Sequence, residues 1–347
     1  MKERISYLDG HRGVAILLVV FFHAFTRWPT IVPYGDSFAH IFIFEYGRYG
    51  VQLFFLVSGF VILMTLEKCK GTREFMYRRW LRLFPAMLIC SLIIFCSAPF
   101  FFERPSGAPT LTGLLPGLTF IDPIWWGKVL GRPVTALEDS FWSLYVEFKF
   151  YLFVSVIYYW RGRNAMFGAH LLAYALAITI NLANEFLGTP TTQALAKAIH
   201  HSSFVHFGWF ASGAAFYVYH KNKKPAWFYF GISVAFVSAF VSAERHWQPF
   251  LFIVSICLLF ASSVVVPKIQ AVLSTKVLQI FGFISYPLYL LHENMLLASI
   301  QKLASLSPLM YGPLLPVLAL LPISISAYYV AKKLEPLVAD KIKAALR

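Results

Sequence analysis

Ten long apolar stretches, parted by short polar breaks, make up almost the whole chain. They run from Gly13 to Val32, Tyr49 to Leu66, Leu83 to Phe102, Ser140 to Trp160, Ala165 to Leu187, Phe204 to Tyr219, Ala226 to Ala243, Trp247 to Val266, Val277 to Ile300 and Tyr311 to Val330. Each comes close to the about 20 residues that an α-helix needs to cross a hydrocarbon core. The pattern predicts an all-α integral membrane protein with about ten transmembrane helices in a single bundle over residues 1–347, leaving no room for a soluble domain. No repeat of fixed period interrupts it. Gly208, Ser212 and Gly213 are small enough for close helix contact, within a protomer or between protomers.

One connection is longer than the rest. Residues 103–139 carry five prolines, several glycines and an apolar patch from Leu114 to Trp126. This segment reads as an outer loop that partly re-enters or lies on the surface, either anchored in the interfacial aromatic belt by Trp125 and Trp126 or serving as a lid over an outward-facing site.

Composition agrees with the pattern. Hydrophobic residues make up 59% of the chain and charged ones 13%, against about 25% charged in soluble proteins. The net charge of +14 does not signal nucleic acid, because the cations are distributed as topology demands. With the N-terminus inside, 21 of the 30 Lys and Arg residues fall in inner segments, eight in outer ones and Lys149 within a span. Both termini are therefore expected on the cytoplasmic side. Met1 to Arg12, followed by an apolar helix without a small-residue cleavage site, reads as an uncleaved first span. Cys69, Cys90, Cys96 and Cys257 lack metal or CxxC spacing, so free thiols and no metal are expected.

Candidate chemistry starts with Arg12 and His23, because an ionisable side chain in an apolar stretch is costly and usually kept for function. Eleven residues of helix return to nearly the same face and separate the two groups by roughly 16 Å. A cation near one membrane surface then stands below an imidazole near mid-bilayer. A packed histidine bonded to a neighbouring helix is the competing reading.

Further along, Arg78, Arg79 and Arg82 follow a basic amphipathic stretch at the inner side. Positive-inside anchoring explains such a cluster by itself, but forked guanidinium groups also suit phosphates. Glu147 lies about two turns inside the fourth span with Ser143 on the same face. It either stands behind His23 as the carboxylate of a catalytic base or pairs with Lys149 or Arg48. Ser285, Tyr289 and His292 share a face of the ninth span beyond Pro287, with Glu293 at similar depth. His200, His201 and His206 are expected at an interface.

The run YLDGHRGVAILLVVFFHAF from Tyr7 resembles the first span of the bacterial acyltransferase-3 family, membrane enzymes that place acyl groups on cell-surface carbohydrate. Four more segments resemble the family in the same order: GVQLFFLVSGFVI at Gly50, FMYRRWLRLFPA at Phe75, SFWSLYVEFKFYL at Ser140 and ISYPLYLLH at Ile284. The resemblance implies that His23 is the catalytic centre, that Arg12, Arg78, Arg79 and Arg82 bind the donor, and that Ser143, Tyr289 and His292 are acceptor-site candidates. It departs from the commoner pattern at Phe148 and Lys149, and at Gln52, where aspartate is frequent.

The implied activity is O-acyl transfer, most simply O-acetyl transfer, from cytoplasmic acetyl-CoA or another acyl-CoA to a hydroxyl of a surface or lipid-linked glycan. A multi-pass protein of the bacterial inner membrane is implied, with membrane lipid, a glycan acceptor and either a homo-oligomer or a polysaccharide-assembly protein as partners. The rival class is a proton-coupled transporter or flippase, in which the same His, Glu and Arg form a proton path; acylation of a cytoplasmic or lipid acceptor is a third reading.

Overall fold

A computed structural model describes residues 5–307 and 312–346, and among these every regular element is helical. Lys2, Arg4 and Arg347, counted above among the inner cations, and Tyr311 at the start of the tenth predicted span lie outside the described residues. In chain order the α-helices are α1 (Ser6–Phe25), α2 (Phe42–Glu45), α3 (Gly50–Leu66), α4 (Thr72–Ser97), α5 (Leu114–Thr119), α6 (Pro123–Leu130), α7 (Trp142–Leu187) and α8 (Pro190–Ser202). They continue with α9 (Phe207–Asn222), α10 (Pro225–Ser242), α11 (Trp247–Val265), α12 (Pro267–Leu273), α13 (Lys276–Leu306), α14 (Leu314–Tyr329) and α15 (Glu335–Ala345).

Seven of these stretches are long and apolar enough to cross a membrane, or eight if the pair α12 and α13, bent by 64°, forms one broken span. The protein is thus a multi-pass membrane protein. Ten crossings were expected, and besides that bent pair the difference lies in α7 and α9. Helix α7 has 46 residues, about 69 Å at 1.5 Å per residue, more than twice a hydrocarbon core of about 30 Å. It is broken at Gly162, whose φ of 82° departs from the helix and suits a residue without Cβ. The predicted break between the fourth and fifth spans falls at this point. Helix α9 has 16 residues, about 24 Å, and falls short of a full crossing.

The chain forms two compact units and passes back and forth between them. The first comprises Met1–Val51, Trp80–Tyr145 and Ser274–Arg347, and the second Gln52–Arg79 and Val146–Leu273.

In the first unit α1 lies against α13 at backbone distance. A Cβ on Gly282 would stand 1.9 Å from the Asp9 carbonyl oxygen, and one on Gly13 would stand 2.4 Å from that of Leu278. Only glycine permits such an approach. Pro287 sits inside α13, where it removes one ladder hydrogen bond. The segment 103–139 is folded rather than loose. Helix α6 starts on Asp122, whose carboxylate accepts from the Ile124 amide at 3.2 Å, with Pro123 at the first helical position. Phe120, Leu137 and the Arg104 and Glu138 side chains are buried.

In the second unit Phe207 to Val218 of α9 are all buried. A Cβ on Gly213 would come within 2.0 Å of the Leu56 carbonyl oxygen, so this small residue does serve helix contact, inside the unit.

Candidate functional site

Three ionisable side chains meet in the first unit, one from α1 and two consecutive ones from α13. The His23 Nδ1 stands 2.8 Å from the carbonyl oxygen of Val19, one turn earlier on its own helix. A carbonyl only accepts, so the neutral ring carries its proton on Nδ1. His292 is held the same way, with Nδ1 2.8 Å from the Tyr289 carbonyl. Its Nε2 is then an acceptor, and it lies 3.2 Å from the His23 Nδ1. The His23 Nδ1–H is accordingly shared between Val19 and His292, and the two rings meet edge to face with centroids 4.8 Å apart.

This leaves the lone pair of the His23 Nε2 for chemistry. Facing it at 3.5 Å is Oε1 of Glu293, longer than a direct hydrogen bond but close enough to pair with an imidazolium once a proton arrives. The other Glu293 oxygen accepts from the Ser140 amide at 2.6 Å. Side-chain exposure is 12% for His23 and 3% for Glu293, so their interaction is little screened. The arrangement can take a proton at one defined nitrogen and stabilise the charge that results. Glu293→Gln should keep the shape and lose that charge.

Among the other candidates, Ser143 and Tyr289 meet in this unit: their hydroxyls lie 2.8 Å apart, and the Tyr289 hydroxyl also donates to the Ser140 carbonyl at 2.8 Å. Glu147 lies in the second unit, where its carboxylate accepts a 2.5 Å hydrogen bond from Ser58. Lys149, offered as its partner, donates to the His201 carbonyl at 2.8 Å and the Ser203 hydroxyl at 3.2 Å. Within the first unit the carboxylate that faces His23 is that of Glu293. Sequence spacing noted its depth but not its reach, since neighbours on a helix diverge by about 100°.

The four arginines differ in their surroundings. Arg12 stands 3.6 Å from Asp9. Arg78 pairs with Glu74 one turn away at 2.6 Å. Arg79 is turned into the second unit, donating to the Thr65 hydroxyl and the Val61 carbonyl beside the ring of Tyr151. Arg82 pairs with Glu335 at 2.7 Å and keeps 44% of its side chain exposed.

A family model described as an acyltransferase domain matches residues 5–331 and so takes in both helices of the His23 cluster. The chain belongs to the acyltransferase-3 family. Among curated relatives, it is 24% identical to the peptidoglycan O-acetyltransferase OatA of Listeria monocytogenes over 92% of this chain and 53% of that protein. It is 24% identical to a putative acetyltransferase of Acidianus two-tailed virus over 81% of this chain and 80% of that one. A putative O-acetyltransferase of Staphylococcus aureus is 26% identical over 44% of this chain and 24% of its own length. The chain thus spans about half of the Listeria protein and about a quarter of the Staphylococcus one. No solved structure matches it.

Proposed function

We propose that this protein is a membrane O-acyltransferase that moves an acyl group, in the simplest case acetyl, from cytoplasmic acyl-CoA to a hydroxyl of a cell-surface or lipid-linked glycan. The observation that carries the reading is the His23 imidazole, fixed in one tautomer by Val19 and faced at its other nitrogen by Glu293, inside a chain of the acyltransferase family. The relatives' names, among them a peptidoglycan O-acetyltransferase, support acetyl as the group and a glycan as the acceptor. Family membership favours transfer over the transporter reading.

In this mechanism the His23 Nε2 takes the proton of the acceptor hydroxyl as that oxygen attacks the thioester carbonyl, and Glu293 pairs with the imidazolium. The carbon–oxygen bond forms, the carbon–sulfur bond breaks, and the proton passes from His23 to the departing thiolate. The donor's phosphates cannot cross a bilayer, which puts donor binding at the inner side, near the basic residues, with both termini cytoplasmic and the protein in the inner membrane.

Of the four arginines, Arg78 and Arg82 each combine exposure with a charged partner that a phosphate could replace, Arg82 with a partner distant in the chain, whereas Arg79 directs its guanidinium to helix packing. Arg82→Ala is expected to raise the apparent acyl-CoA KM by about 3- to 10-fold at unchanged kcat, the discounted value of one partly exposed charge-assisted contact. Thiol release at varied acyl-CoA checks it, and an unchanged KM removes Arg82 from the donor site. The function itself is tested by incubating purified protein with acetyl-CoA and a glycan acceptor: thiol release that requires the acceptor, together with a mass increase of one acetyl group on the glycan, supports transfer. Neither signal under conditions where the protein is folded would reject it.

A further inference from the structure

The outer segment 103–139 and α13 are joined by a buried polar clamp that ends one residue from Glu293. Arg104 and Glu138 form an ion pair at 3.3 Å with side-chain exposures of 2% and 0%. Arg104 also donates to the Leu137 carbonyl at 2.9 Å and the Gly107 carbonyl at 3.3 Å. The second Glu138 oxygen takes two bonds from one residue, the backbone amide of Asn294 at 2.9 Å and its side-chain amide at 2.5 Å. The Asn294 side-chain oxygen in turn accepts from the Ser106 amide at 3.0 Å. Two residues past Glu138, the Ser140 amide holds Glu293 itself.

A side-chain carboxylate on a backbone amide inside a long helix is unusual, because such amides bond the carbonyl four residues back. The clamp grips α13 beside the site: His292 and Glu293 are consecutive, and both reach the ring of His23. We infer that Glu138 is a positioning residue that holds the backbone of α13 at Asn294 so that His292 and Glu293 converge on His23, with Arg104 as its buried ion-pair partner. This rests on the transfer chemistry assigned above to His23 and Glu293. Glu138 accepts only from donors, as a carboxylate does, and an ionised group so deeply buried needs its partner.

The test is a double-mutant cycle. Glu138→Gln should lower kcat by about 10-fold with the acyl-CoA KM within about 2-fold of wild type, and should cost less than about 2-fold more in a Glu293→Gln background. A residue that merely stabilises the fold would cost the same in both backgrounds, and that additivity would overturn the inference. Since Glu138→Gln strands a buried cation, the pair Arg104→Met with Glu138→Gln, which removes both charges, provides a second variant expected to give the same non-additivity. Independently of activity, amide exchange read by mass spectrometry should speed up at least about 10-fold in the peptide covering His292 to Met295 and not in α1. Unchanged exchange there rejects the clamp. Absence of thiol release from the wild-type protein would count against the proposed function, and the exchange measurement would still decide the clamp.

Discussion

His23→Ala is expected to lower acyl transfer by about 10²- to 10⁴-fold, the usual worth of a positioned general base, and to do so in kcat with little change in the acyl-CoA KM. In the proposed mechanism the Nε2 of this imidazole takes the proton, with the Glu293 carboxylate 3.5 Å away to pair with the charge. Folding should survive, because α1 is held to α13 by backbone contact at Gly13 and Gly282 rather than by this ring. Thiol release by the detergent-purified variant, alongside its elution profile and melting temperature, measures both halves of the expectation. A folded variant within about 3-fold of wild type would remove His23 from the chemistry.

The second large effect is structural. Gly282→Ala places a methyl group 1.9 Å from the Asp9 carbonyl oxygen, a backbone atom that cannot rotate away. Alanine brings a gain of about 1 kcal/mol in helix propensity, but forcing atoms into a packed interface costs typically 1–3 kcal/mol, and a backbone clash belongs at or above the upper end. The relief available is separation of α1 from α13, which also carries His23 away from Glu293 and His292. We therefore expect a lowered melting temperature together with a loss of activity beyond what the folded fraction explains. Gly168→Ala is the control: it lies within α7 with nothing within 4 Å of the added carbon, so it should be neutral or slightly stabilising. Equal melting temperatures for the two variants would contradict the close approach.

Much of the fold was legible from the chain. A helical segment occurs at each of the ten apolar stretches, because a run of about 20 apolar residues has few other ways to satisfy its backbone in lipid. Length and kinks, as at Gly162 and in the short α9, decide which of these stretches stand alone as long helices, and apolar pattern does not report them. His23 and Arg12 were legible because an ionisable group is conspicuous in such a run. Glu293 was visible and undervalued, since ideal helical phase sends it away from the face of His292. The polar clamp that holds α13 beside these residues involves Glu138, a residue 156 positions from Asn294, and no periodicity reports a contact between a loop and a distant helix. The bond of Glu147 to Ser58 was invisible for the same reason.

The two histidines that share a proton are 269 positions apart in the chain. During synthesis α1 is released first, and its imidazole waits while the helices up to α13 are threaded into the bilayer. Only when α13 arrives does the ring acquire His292 and Glu293 as neighbours. Under the proposed function, a nascent or prematurely terminated product that lacks α13 contains the imidazole without its counter-charge and stays inert toward the thioester donor.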